Sequence, residues 1–120
     1  MENKKLIYVA DDDEVIRDLL DNWLKFEGYE TKVFSNGQAC LEAVVAQAPD
    51  ALITDIHMPL MNGFQLLRAT KRMNPDVPVI LITGFAHFRR FFADKTARAD
   101  AFLEKPFSLE AISNVLKRFI

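Results

Sequence analysis

A single cysteine, Cys40, occurs in the chain, so no disulfide and no cysteine-based metal cluster can be built within it. Its place in a helical pattern marks it as a small buried residue. An excess of one charge is also missing: 15 Lys and Arg face 17 Asp and Glu, a net charge of −2 and a pI near 5.6. That balance leaves no electrostatic footprint for nucleic acid or an anionic membrane, and direct binding to either is not expected. Long apolar runs are absent as well. Met1 to Lys5 leads straight into a five-residue apolar stretch, too short for a signal-peptide core or a membrane span, and a cytoplasmic location is expected. Repeats, low-complexity tracts and interdomain linkers are not seen, so residues 1–120 read as one domain. A chain of 120 residues, half of them apolar, buries a proper core without disulfides or a structural metal.

Against these absences stand five short β-prone runs separated by helical patterns. Strands are predicted over Leu6 to Ala10, Tyr29 to Phe34, Ala51 to Thr54, Val79 to Ile82 and Ala101 to Leu103. Asp13 is placed to cap a first helix bearing Ile16, Leu19, Leu20, Trp23, Leu24 and Phe26 at helical spacing, and Gly28 ends it. Ser35-Asn36-Gly37 turns into a second helix carrying Cys40, Leu41, Val44, Val45 and Ala48 before Pro49. A third helix follows Asn62-Gly63 with Phe64, Leu67 and Met73, a fourth falls within Ala86 to Arg98, and Ser108 caps a fifth with Leu109, Ile112, Val115, Leu116 and Phe119 on one stripe. Strands alternating with helices imply a parallel sheet, and right-handed crossovers put helices on both of its faces. The expected fold is therefore α/β, a doubly wound five-stranded parallel sheet of flavodoxin-like order 2-1-3-4-5 with five helices.

In such a sheet the ligand crevice lies beyond the carboxyl ends of the strands. Asp11 and Asp12 follow the first strand, Asp55 the third, Thr83 the fourth, and Lys105 with Pro106 the fifth. A single aspartate there is more often a cap or a turn residue, and Asp13 is assigned to capping. Three at the ends of different strands form a hard, oxygen-rich cluster suited to Mg²⁺, a cation that prefers few carboxylates and phosphate oxygens. A carboxylate in that setting can also act as nucleophile and form an acyl phosphate.

The segment Ile53-Thr54-Asp55-Ile56-His57-Met58-Pro59-Leu60-Met61-Asn62-Gly63, with Asp11-Asp12 before it and Thr83 and Lys105-Pro106 after it, resembles the receiver domain of bacterial two-component response regulators. The resemblance covers nearly the whole chain. It implies a phosphoacceptor switch rather than an enzyme: Asp55 phosphorylated by a sensor histidine kinase or a histidine phosphotransfer protein, with slow self-dephosphorylation. By the same likeness Asp11, Asp12, Asp55 and the backbone carbonyl of His57 hold Mg²⁺, Thr83 and Lys105 meet the phosphoryl oxygens, and Lys105-Pro106 is a cis peptide. Thr83 and Phe102 occupy the switch positions, and His57 and Phe85 the positions that tune acyl phosphate lifetime. Lysine and threonine suit these roles physically, one as a compact charge and the other as a rotatable donor.

The fourth helical stretch departs from the family pattern. Phe91, Asp94 and Arg98 stand where relatives usually carry small residues or glycine, and Phe88, Phe91 and Phe92 share a helical face. That cluster reads either as core packing on the sheet or as part of an output face formed by the fourth helix, fifth strand and fifth helix. Such a face would serve a homodimer or an output partner. Two other readings of the chain compete. Asp11-x-Asp13 has the nucleophile spacing of a haloacid-dehalogenase-type phosphohydrolase, although 120 residues leave little room for a substrate cap. A docking module that no longer uses phosphate is disfavoured by the complete set of Asp11, Asp12, Asp55, Thr83 and Lys105.

Overall fold

The structure, a computed structural model, describes residues 3–84 and 99–120. Five strands, β1 (Leu6–Ala10), β2 (Glu30–Phe34), β3 (Ala51–Asp55), β4 (Val79–Thr83) and β5 (Ala101–Glu104), form one sheet in the order β2-β1-β3-β4-β5. Every pairing is parallel. The expected strand order is thus the observed one, with β3 and β4 each one residue longer than the apolar runs indicated and β2 one residue shorter. Every residue of β1, β3 and β4 is buried, which is why these strands read as continuous apolar runs rather than alternating ones. The edge strands β2 and β5 contain no buried residue, and β2 is correspondingly polar, with Glu30, Thr31 and Lys32.

Four helices are described: α1 (Glu14–Phe26), α2 (Gly37–Ala46), α3 (Gly63–Met73) and α4 (Leu109–Phe119). The helix expected within 86–98, with its Phe88, Phe91 and Phe92, lies outside the described residues, as does Phe85. Successive strand residues point to opposite faces, and two cores result. On one face Leu6, Tyr8, Ala10, Leu52, Val79 and Leu81 meet Cys40 and Val44 of α2 and Phe64, Leu66 and Leu67 of α3. On the other, Ile7, Val9, Ile53, Ile80 and Ile82 meet Leu20 and Leu24 of α1 and Ile112, Val115 and Leu116 of α4. The winding is therefore double. Burial pushes the Cys40 thiol up to about 12, so it packs as a small apolar group.

The helix ends follow local chemistry. Asp13 accepts a hydrogen bond from the Val15 amide at 2.9 Å, Asn36 from Ala39 at 2.8 Å, and Ser108 from Ala111 at 3.0 Å. Asn62 and Gln65 form a reciprocal capping box at the start of α3. Gly28, at φ +95°, takes the left-handed conformation that ends α1. Periodicity overreached at Phe26, Val45 and Ala48, and less strongly at Leu19 and Met73, which are also exposed. Phe26 is 79% exposed and lies beside Trp23 instead of entering the core. Val45 is also exposed, and α2 stops at Ala46, before Ala48. A helical stripe defines a direction, and these residues lie past the reach of the sheet on that side.

Gly63 shows how tightly the β3–α3 connection is packed. A Cβ there would strike the Asp55 carbonyl oxygen and sit 2.8 Å from Ile56 Cα, both backbone groups that cannot swing aside. Gly63→Ala is expected to cost about 2 to 3 kcal/mol by overpacking, read as a lower denaturation midpoint at unchanged slope. Wild-type stability in this variant would show that the helix start can retreat from the strand end that carries Asp55.

Candidate functional site

The three candidate carboxylates converge at the carboxyl end of the sheet. Asp11 and Asp12 follow β1, Asp55 closes the adjacent β3, and one oxygen from each lies within 4.8 Å of the others. Asp11 is fully buried and Asp55 nearly so at 6% exposure, whereas Asp12 is exposed. Lys105, just past β5, reaches across to them. Its Nζ donates to Asp11 Oδ2 at 2.8 Å and lies 3.5 Å from Asp55 Oδ2. The loop that presents it is held by the Lys105 amide donating to the Thr83 carbonyl at 2.7 Å, and Lys105-Pro106 is cis as the resemblance implied.

Charge in this cluster is unbalanced. Among the described residues three carboxylates share one ammonium, which sits closer to Asp11 than to Asp55. Desolvation by burial, then the charge of Asp11, raise the pKa of Asp55 above its ordinary value, although Lys105 and the Ile56 amide pull the other way. For Lys105, burial alone would lower the pKa, but the Asp11 hydrogen bond and the charges of Asp55 and Asp11 outweigh it and hold the pKa above its ordinary value. Surplus negative charge and a purely oxygen donor set fit a hard divalent cation. Among the described residues neither His nor Cys belongs to the cluster, and its oxygen donors suit a hard cation better than a softer metal.

Local bonds aim Asp55. Its Oδ1 accepts the Ile56 amide at 2.9 Å, and its carbonyl accepts the Thr54 hydroxyl at 2.9 Å. Thr83 ends β4 beside it, buried at 1% exposure. His57 follows on an exposed loop, and Phe102 is half-buried in β5 against the α2–α3 core. Phe85 lies outside the described residues. Sequence reasoning missed one residue near the site: Arg17 donates through Nη1 to the Asp11 carbonyl at 2.8 Å. A signal existed, because a cation one turn into a helix opposes the macrodipole, which favours acids there.

This geometry agrees with what the chain is similar to. Residues 7–117 match the response regulator receiver domain, and the chain belongs to that family, a regulatory module of two-component systems. Response regulator MprA of Mycobacterium ulcerans is 34% identical over 106 residues, which are 88% of this chain and 46% of that protein. The chain spans about half the length of such relatives. A CheY-like receiver domain protein from Methanospirillum hungatei superposes with a TM-score of 0.88 at 28% identity, covering 97% of this chain and 93% of that one. Response regulator TrrA of Thermotoga maritima, solved in complex with Mg²⁺-BeF, superposes at 0.89 with 30% identity, over 97% of this chain and 99% of that one. The receiver domain of NtrX from Brucella abortus is 32% identical at 0.85, over 93% and 95% of the two chains.

Proposed function

We propose that this domain is a phosphoacceptor switch in which Asp55 takes a phosphoryl group from the phosphohistidine of a sensor histidine kinase or histidine phosphotransfer protein. The observation that carries this reading is the position of Asp55, a nearly buried carboxylate at a strand end with a lysine 3.5 Å from Oδ2 and Oδ1 tied to its own chain. Oδ2 is then the attacking atom. Its bond to phosphorus forms as the bond from phosphorus to the donor imidazole breaks, and the imidazole leaves. Lys105 meets the phosphoryl oxygens as a point charge, and the Thr83 hydroxyl donates to them from the neighbouring strand.

Asp11, Asp12, Asp55 and the His57 carbonyl are the residues that would hold Mg²⁺, which supplies the charge neutralisation that two approaching anions require. The complex of the similar TrrA with Mg²⁺-BeF supports this assignment. Phosphorylation shifts an inactive to active equilibrium by the difference in interaction that the acyl phosphate makes with each state, through Thr83 and Phe102. His57, which follows Asp55 in the chain, and Phe85, by the family resemblance, set the lifetime of the acyl phosphate. The domain acts in the cytoplasm as a regulatory acceptor rather than a turnover enzyme, and passes the signal to a second copy or an output partner. A phosphohydrolase reading through Asp11 fits poorly, because that carboxylate is fully buried and bonded to Lys105.

Acetyl phosphate with Mg²⁺ is expected to add one phosphoryl group per chain, and EDTA to prevent it. Intact-mass spectrometry reads both. Equal incorporation in EDTA would contradict the metal requirement.

A further inference from the structure

We propose that Arg17 is a positioning residue for the metal-binding carboxylates, one that fixes the Asp11–Asp12 peptide so that the exposed Asp12 faces Asp11 and Asp55. This inference rests on the reading of the site as a Mg²⁺ site.

Asp11 is held at four points. Its amide donates to the Phe34 carbonyl at 3.0 Å, its Oδ1 accepts the Asp13 amide at 2.9 Å, its Oδ2 accepts Lys105 Nζ at 2.8 Å, and its carbonyl accepts Arg17 Nη1 at 2.8 Å. The first three fix the residue and its carboxylate. Only the fourth acts on the carbonyl of the peptide that leads to Asp12. Asp12 itself is exposed, and among the described residues none donates a hydrogen bond to its carboxylate. Its direction is therefore set through the backbone, and rotation of the Asp11–Asp12 peptide would carry its oxygen out of the 4.8 Å cluster. A guanidinium suits this task, because it is planar, always charged and strongly hydrogen-bonding, and it reaches the carbonyl from the first turns of α1.

Two effects of Arg17 on a cation oppose each other, so the sign of the result decides between them. As a nearby positive charge it repels Mg²⁺, and its removal would tighten binding, weakly because solvent screens it. As the clamp on the peptide it keeps Asp12 in place, and its removal would weaken binding. The experiment is a Mg²⁺ titration of wild type, Arg17→Met and Arg17→Lys, followed by two-dimensional amide spectra that also report folding, with metal-free melting temperatures measured in parallel. Arg17→Met is expected to raise the Mg²⁺ dissociation constant about tenfold, the equivalent of roughly one neutral-to-charged hydrogen bond. Arg17→Lys is expected to fall between Arg17→Met and wild type, and it carries the test should Arg17→Met not fold. An unchanged or tighter dissociation constant, with or without a lower melting temperature, overturns the proposal and leaves Arg17 a structural residue. Absence of saturable Mg²⁺ binding in wild type overturns the Mg²⁺ reading itself, and the proposal with it.

Discussion

Asp55→Asn is expected to abolish phosphoryl incorporation from acetyl phosphate while leaving the metal-free protein at least as stable as wild type at neutral pH. The loss follows from chemistry, since an amide cannot form the acyl phosphate, and two of the neighbouring carboxylates are already engaged. Asp11 is bonded to Lys105, and Asp13 caps α1. The stability follows from electrostatics. Asp55 has a pKa raised by burial and by Asp11, so the folded state favours its protonated form. Such a group contributes stability below its ordinary pKa, and that contribution is lost as pH rises through the raised value. Wild type without metal should therefore weaken across that window, and Asp55→Asn should flatten the change. Incorporation into Asp55→Asn equal to that of wild type would move the acceptor elsewhere. A steeper pH dependence in the variant would contradict the electrostatic account.

Lys105→Met is expected to have the second largest effect, on two readouts at once. Removing the ammonium leaves the fully buried Asp11 without its ion-pair partner at 2.8 Å and takes away the cation 3.5 Å from Asp55. Breaking a buried pair from one side costs on the order of 3 kcal/mol. The raised pKa of Lys105 keeps it charged at neutral pH, so its contribution is fully present there and fades only as pH climbs through that raised value. The rate of phosphorylation should fall about 100-fold as well, because one preorganised charge on the phosphoryl oxygens is lost. Chemical denaturation and initial labelling rates check the two effects. A variant with normal stability and slow labelling would confine Lys105 to catalysis of transfer, and one with normal labelling would remove it from the transfer step.

The parts of this structure legible in the sequence are those set by local chemistry and by complete burial. Strands β1, β3 and β4 are buried along their whole length, so Leu6–Ala10 and its counterparts stand out as apolar runs, and the candidate residues Asp11, Asp12, Asp55 and Thr83 sit at their ends. Asp13, Asn36 and Ser108 cap helices by bonds to residues two or three positions on, which sequence spacing encodes. What stayed hidden depends on distant partners. Phe26 belongs to the periodic stripe of α1, yet nothing in that stripe tells how far the core extends beneath it. Arg17 bonds a carbonyl six residues back across the end of the sheet, and the requirement for Gly63 comes from the backbone of Asp55 and Ile56 pressing on it.

The central claim is that the Asp55 carboxylate carries the phosphoryl group, and trapping that bond tests it most directly. After reaction with acetyl phosphate and Mg²⁺, borohydride reduction converts an aspartyl phosphate to homoserine, which tandem mass spectrometry places in the sequence. Homoserine at position 55, dependent on donor and Mg²⁺, is the expected result. Homoserine at Asp11, Asp12 or Asp13, or a phosphoryl group stable to borohydride on another side chain such as His57, would contradict the assignment.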